Sequence, residues 1–145
     1  MANYDSPGEV FNRSFHEVSV GILIDSENRL LLNQRQPHQL YAHFWEFPGG
    51  KLNPQETPLE GLCRELHEEL GISVSETMPI FCVQHTYPEY TVRLHIFIVE
   101  AYEGYPHGKE GQSITWCALD EVQQYSLLPA NHIILQAIRE VCSSY

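Results

Sequence analysis

Positive charge is scarce in this chain. Only 8 lysines and arginines stand against 19 aspartates and glutamates, a formal net charge of −11 over 145 residues. A protein that holds a nucleic-acid polymer needs a basic footprint from which counterions are released, so that class of partner is set aside. A single nucleotide is not, because a polyphosphate arrives with divalent cations that a carboxylate cluster can receive. Long hydrophobic runs are also missing, and none approaches the ~20 residues of a membrane span. The opening MANYDSPGEV has no basic stretch followed by an apolar one, so no secretory signal is read and the expected compartment is the cytoplasm. Cys63, Cys82, Cys117 and Cys142 are scattered with no C-x-x-C pair, which reads as reduced thiols rather than a disulfide framework or a zinc site. Repeats, linkers and low-complexity segments are absent, and the length suits one domain with its own core. That domain is placed at residues 16–145, behind an N-terminal arm at 1–15 that shows no clear period.

What the chain does have is concentrated between Gly49 and Ile72, a stretch with a glycine pair and five glutamates. Leu59, Leu62, Cys63, Leu66 and Leu70 recur at helical spacing and form one apolar stripe. Thr57, Pro58 and Glu60 read as N-cap, first helical position and the reciprocal partner of a capping box, and Gly71 as the left-handed stop. Glu65, Glu68 and Glu69 share the face beside that stripe. Like charges at these spacings cost roughly 0.2–0.5 kcal/mol per facing pair, and carboxylates near a helix C-terminus oppose the macrodipole by a further ~0.3–1 kcal/mol each. A solvated acidic face is the bland explanation. The neighbouring Gly49-Gly50 and Arg64 favour a site for a hard divalent cation held by oxygen ligands.

Elsewhere the pattern is mostly strand. Glu17 to Asp25 alternates Val18, Val20, Ile22 and Ile24, and Arg29 to Arg35 reads as the return strand of a hairpin after the turn residues Asp25 to Asn28. Trp45-Glu46-Phe47 is a short strand, and Met78 to Thr86 and Thr91 to Tyr102 are two longer ones, the second with an inner half expected to be buried on both faces. Thr115 to Leu119 is a strand, Asp120 to Tyr125 a short helix with an Asp N-cap, and Asn131 to Cys142 a helix with Ile133, Ile134, Ala137, Ile138 and Val141 as its stripe. This order of elements predicts an α/β/α sandwich with a mixed central sheet.

Gly50, five residues, Glu56, seven residues, then Arg64-Glu65-Leu66-x-Glu68-Glu69-x-Gly71-Ile72 resembles the complete Nudix box. WEFPGGKL before it, GKEGQ ahead of Trp116, and LLPAN at the last helix extend the resemblance over most of Val18 to Ile138, toward the MutT branch. The resemblance implies the same sandwich fold and a Mg2+-dependent enzyme, with Mn2+ as the other candidate ion. Its reaction would take a nucleoside triphosphate to monophosphate and pyrophosphate, sanitising oxidised purine nucleotides such as 8-oxo-dGTP. Carried over by position, Glu65, Glu68, Glu69, Glu110 and the Gly49 carbonyl match metal ligands, the carboxylates also being catalytic. Glu56 and Arg64 match a structural pair within the box, together with Gly50 and Gly71. Arg35, Phe47 and Asn131 match nucleoside-pocket positions, and Tyr87 is a further candidate for stacking on a base. Read alone, Glu110 would be an ordinary solvent-facing loop glutamate, and only the resemblance gives it a role. Two alternatives stand beside this reading. One is a CTP or dCTP pyrophosphohydrolase, which would be expected to carry an acid where this chain has Asn131. The other is a non-catalytic Nudix-fold module, for which an intact box argues poorly. The implied partner is a nucleotide rather than a polymer or a membrane, and the implied state a monomer or weak dimer.

Overall fold

The computed structural model describes residues 14–142, so the expected arm lies outside it except for Ser14 and Phe15, which open the first strand. The elements in order are β1 (Ser14–Leu23), β2 (Arg29–Gln34), β3 (Trp45–Glu46), β4 (Gly49–Lys51), α1 (Pro58–Leu70), β5 (Ser73–Thr86), β6 (Tyr90–Glu103), β7 (Ile114–Ala118), a 3-10 helix (Leu119–Gln124) and α2 (Pro129–Cys142). β1 runs parallel to β6 on one side and antiparallel to β4 on the other, giving a mixed sheet of order β4-β1-β6-β5. A second, antiparallel sheet has the order β3-β2-β7.

Alternation along β1 separates two cores. Val20 and Ile22 point into one with Val92, Leu94 and Ile96 of β6 and with Ala130, Ile134 and Ile138 of α2. Leu23 belongs to the other, with Leu62, Leu66 and Leu70 of α1 and with Phe97 and Val99. Ile96 and Phe97 are thus buried on opposite faces of β6, as its near-continuous apolar run predicts. One helix seals each core, and the expected α/β/α architecture with a mixed sheet is what the chain adopts.

Three local expectations are corrected. The reversal at Asp25–Asn28 exists, with Asn28 at φ 61 and an isolated bridge between Ile24 and Leu30, but β1 and β2 then diverge into different sheets instead of forming a hairpin. The short helix after β7 is a 3-10 helix whose N-cap is Ala118, so Asp120 does not cap it. α2 starts two residues earlier than expected, at Pro129, where the missing N–H costs no hydrogen bond. Its buried face runs through Ala130, Asn131, Ile134, Leu135 and Ile138, leaving Ile133 exposed.

α1 has both predicted ends. The Thr57 hydroxyl accepts from the Glu60 N–H, the Glu60 carboxylate accepts from the Thr57 N–H, and Gly71 closes the helix at φ 72. Its stripe is rolled relative to the expected one: Leu59 is 45% exposed and Cys63 only partly buried, while Gly61 is buried. A side chain at position 61 would collide with Leu52, so glycine lets the helix approach on that side. The roll turns Glu65 and Glu69 inward toward β4 and puts Leu59 outside.

Candidate active site

The carboxylates of α1 are organised by one guanidinium. Arg64 grips Glu56 through Nε (2.7 Å) and Nη2 (2.9 Å), and Nη2 also donates to the Lys51 carbonyl (2.8 Å). Its Nη1 reaches Glu65 (3.0 Å) and Glu68 (3.2 Å). This fork clamps the loop after β4 against the helix, a geometry that lysine's single ammonium does not reproduce. Held by Arg64 and by the Asn53 N–H, Glu56 is lowered to about 2.

Glu65 and Glu69 are pushed the other way. Burial raises Glu65 against the pull of Arg64, with the charges of Glu68 and Glu110 adding to it. Burial raises Glu69 well above the usual carboxylate range, reinforced by Glu46, Glu65 and Glu110 and opposed by the Gly49 N–H, which donates to it at 3.2 Å. Gly50 has no room for a side chain, because a Cβ there would stand against the Glu65 carboxyl group. Glycine here lets the Glu65 carboxyl group lie directly against the strand.

A cavity of about 590 Å³ opens beside these groups. Glu65, Glu69, Glu110, Gly49 and Gly50 line it, and so do Arg35, Phe47, Tyr87 and Asn131. Nine positions singled out in the sequence therefore share one space. Glu68 does not line it: its half-exposed side chain turns to Arg64. Glu56, Arg64 and Gly71 stand outside as the scaffold of the helix. Glu110 sits on an exposed loop pinned at both backbone groups, its N–H donating to Gln112 Oε1 and its carbonyl accepting from Gln36.

The donor set is all oxygen, the chemistry of a hard cation such as Mg2+. Among the described residues no three carboxylate, imidazole or thiolate groups already stand as an ion-holding cluster. The carboxylates nonetheless fit such an ion, since Glu46, Glu65, Glu69 and Glu110 face one space in which Arg35 and Lys51 are the cationic lining residues, with Arg64 beside Glu65.

The opposite lining is built by α2. Asn131 is buried, and its Oδ1 accepts from the Phe47 N–H at 2.9 Å. Because a backbone N–H can only donate, the amide orientation is settled, leaving the Asn131 NH2 and one carbonyl lone pair for the cavity. Tyr87 is 4% exposed, its hydroxyl accepts from the Ala130 N–H (3.0 Å), and its ring packs on Tyr41, Tyr90 and His85. It is a wall of the cavity that anchors the start of α2.

A family model described as the NUDIX domain matches residues 19–137. The chain belongs to the Nudix family. This Nudix chain is 31% identical over 125 residues to the 8-oxo-dGTP diphosphatase of Escherichia coli (strain K12), covering 86% of the chain and 97% of that protein. It is 35% identical over 118 residues to the CTP pyrophosphohydrolase of the same strain, covering 81% and 87%. It also shares its fold with the solution structure of the E. coli ORF135 protein at a TM-score of 0.79 and 31% identity, covering 92% of this chain and 95% of that one. The protein is a Nudix hydrolase of the MutT-like type, as its box implies, and the non-catalytic alternative is set aside.

Among the groups that sequence reasoning overlooked in this Nudix cavity is a carboxylate. Glu46 lies between Arg35 (3.2 Å) and the acidic cluster, and burial raises it to about 7 even against the Arg35 charge. A two-residue strand has no period from which an inward side chain could be inferred. The only available signal was its place within the run WEF.

Proposed function

We propose that this hydrolase converts a nucleoside triphosphate to its monophosphate and pyrophosphate with Mg2+, or Mn2+ in its place, and that it prefers oxidised purine nucleotides such as 8-oxo-dGTP. One observation carries the reading. The segment Phe47-Pro48-Gly49 gives its first N–H to the Asn131 amide and its last N–H to the Glu69 carboxylate. The short link between β3 and β4 thus holds a base-reading amide and a phosphate-facing carboxylate through backbone groups two residues apart. A nucleotide is the kind of ligand that needs both.

Glu65, Glu69, Glu110 and the Gly49 carbonyl would hold the ion, with Glu68 at the rim. When bound, such an ion screens the polyphosphate and lowers the pKa of a coordinated water. Water adds to the internal phosphorus as the bond to the pyrophosphate oxygen breaks. Glu65 takes the water's proton: Arg64 fixes its carboxylate, and burial makes it a stronger base than a free glutamate. Arg35 offers positive charge to the substrate across Glu46.

The base preference rests on Asn131. Its NH2 can donate to the O6 acceptor of a guanine, and its remaining lone pair can accept from an N7–H that exists only in the oxidised base. The 35% identity to a CTP pyrophosphohydrolase favours a pyrimidine as the second reading. The carboxylate assignment is tested by measuring pyrophosphate release by Glu65→Gln and Glu110→Gln at saturating Mg2+. At least one is expected to lose a hundredfold or more in kcat. Near-normal turnover by both would remove these residues from the chemistry.

A further inference from the structure

The wall of the cavity contributed by β1 is apolar at Val18 and Val20 and ends in His16, which also lines the space. His16 pairs in register with Val92 of β6, and its ring meets Tyr90 edge-on, centroids 5.1 Å apart at 60°. Among the described residues its ring nitrogens have no hydrogen-bond partner. An imidazole beside Val18, Val20, Val92 and Leu94 can hydrogen-bond what enters the cavity, which a leucine there could not. We infer that His16, braced by Tyr90, is a second base-reading group of the nucleotide cavity, contacting an edge of the base that Asn131 does not occupy.

Three features support this. Burial and, secondarily, the Lys51 ammonium hold the imidazole below its ordinary value, so at neutral pH it keeps one N–H donor and one lone pair. A neutral reader suits a base edge, whereas a cation would draw the phosphates. The edge-on contact with Tyr90 fixes the ring plane, and Tyr90 in turn packs on Tyr87 at 5.1 Å, so the reader is seated on the aromatic wall that anchors α2. Asn131 approaches the same cavity from α2, so the two polar groups come from separate elements and can address separate edges. The inference rests on the cavity being a nucleotide site.

The test compares the unmodified protein with His16→Leu, which keeps bulk, and His16→Gln, which keeps a donor and an acceptor. The readouts are kcat/KM for 8-oxo-dGTP, dGTP, dCTP and CTP, and metal-free binding of the corresponding monophosphates by calorimetry. His16→Leu should lower kcat/KM and monophosphate affinity for the preferred nucleotide by roughly tenfold, about one neutral hydrogen bond. It should change the least favoured nucleotide by less than about threefold, and His16→Gln should recover part of the loss. Unchanged discrimination in His16→Leu, or equal losses on every nucleotide, would overturn the role of His16 while leaving the proposed reaction intact. Failure of the unmodified protein to bind or hydrolyse any nucleotide would overturn both.

Discussion

At the scale of single residues, the site depends on two positions where one atom decides. Gly50 faces the Glu65 carboxyl group so closely that a methyl group must displace it. Gly50→Ala is therefore expected to lower kcat/KM at least tenfold. The displaced group is the far end of a flexible side chain, so the melting temperature should fall by no more than the ~2–4 °C that corresponds to about 1 kcal/mol in a domain of this size. Unaltered activity would mean that the placement of Glu65 does not matter. Asn131 holds the Phe47 N–H with its carbonyl and offers the cavity its NH2. Asn131→Ala removes both the NH2 and the lone pair that would accept from the N7–H of the oxidised base, and leaves the Phe47 N–H without its side-chain acceptor. Discrimination between 8-oxo-dGTP and dGTP should drop tenfold or more while the fold is retained; an unchanged ratio of kcat/KM values would end the base-reading assignment.

At the scale of elements, the helix α1 and its loop act as one part because Glu56 and Arg64 join them. Glu56 sits at about 2 when folded, below its ordinary value near 4.5. The unfolded chain therefore binds more protons between these values, so the contribution of the pair is complete above about pH 5 and is lost as pH falls toward 2. Glu56→Gln should be less stable than the unmodified protein at neutral pH. The gap should close in acid, as followed by denaturant unfolding at several pH values; a gap independent of pH would contradict the role of the charge. This helix was also the most legible part of the sequence, since Thr57, Pro58, Glu60 and Gly71 define its ends by contacts within a few residues. The pairing of β2 was not legible. The turn at Asp25–Asn28 specifies a reversal, but the choice of β7 and β3 as partners is made by distant segments. The roll of α1 was likewise hidden, because the stripe ending at Leu59 and the one passing through Gly61 both have helical spacing and only packing against Leu52 separates them.

At the scale of the whole molecule, the cavity gathers side chains from β1, the loop after β2, β3, β4, α1, the turn before β6, β6, the loop before β7 and α2. Spacing within the box revealed the acidic cluster, and family resemblance supplied Glu110, Arg35 and Asn131, which no local pattern connects to it. Glu46 and His16 emerged only when separate segments closed around one space. No helix among the described residues is long and apolar enough to cross a membrane. In the proposed function this one space joins phosphoanhydride hydrolysis to recognition of an oxidised purine. Pyrophosphate release with Mg2+ at low micromolar nucleotide, comparing 8-oxo-dGTP, dGTP, dCTP, CTP and ADP-ribose, tests it most directly. The predicted result is a preference for 8-oxo-dGTP of a hundredfold or more, roughly 2.7 kcal/mol of transition-state binding. A flat panel, or one led by a pyrimidine nucleotide, would contradict it.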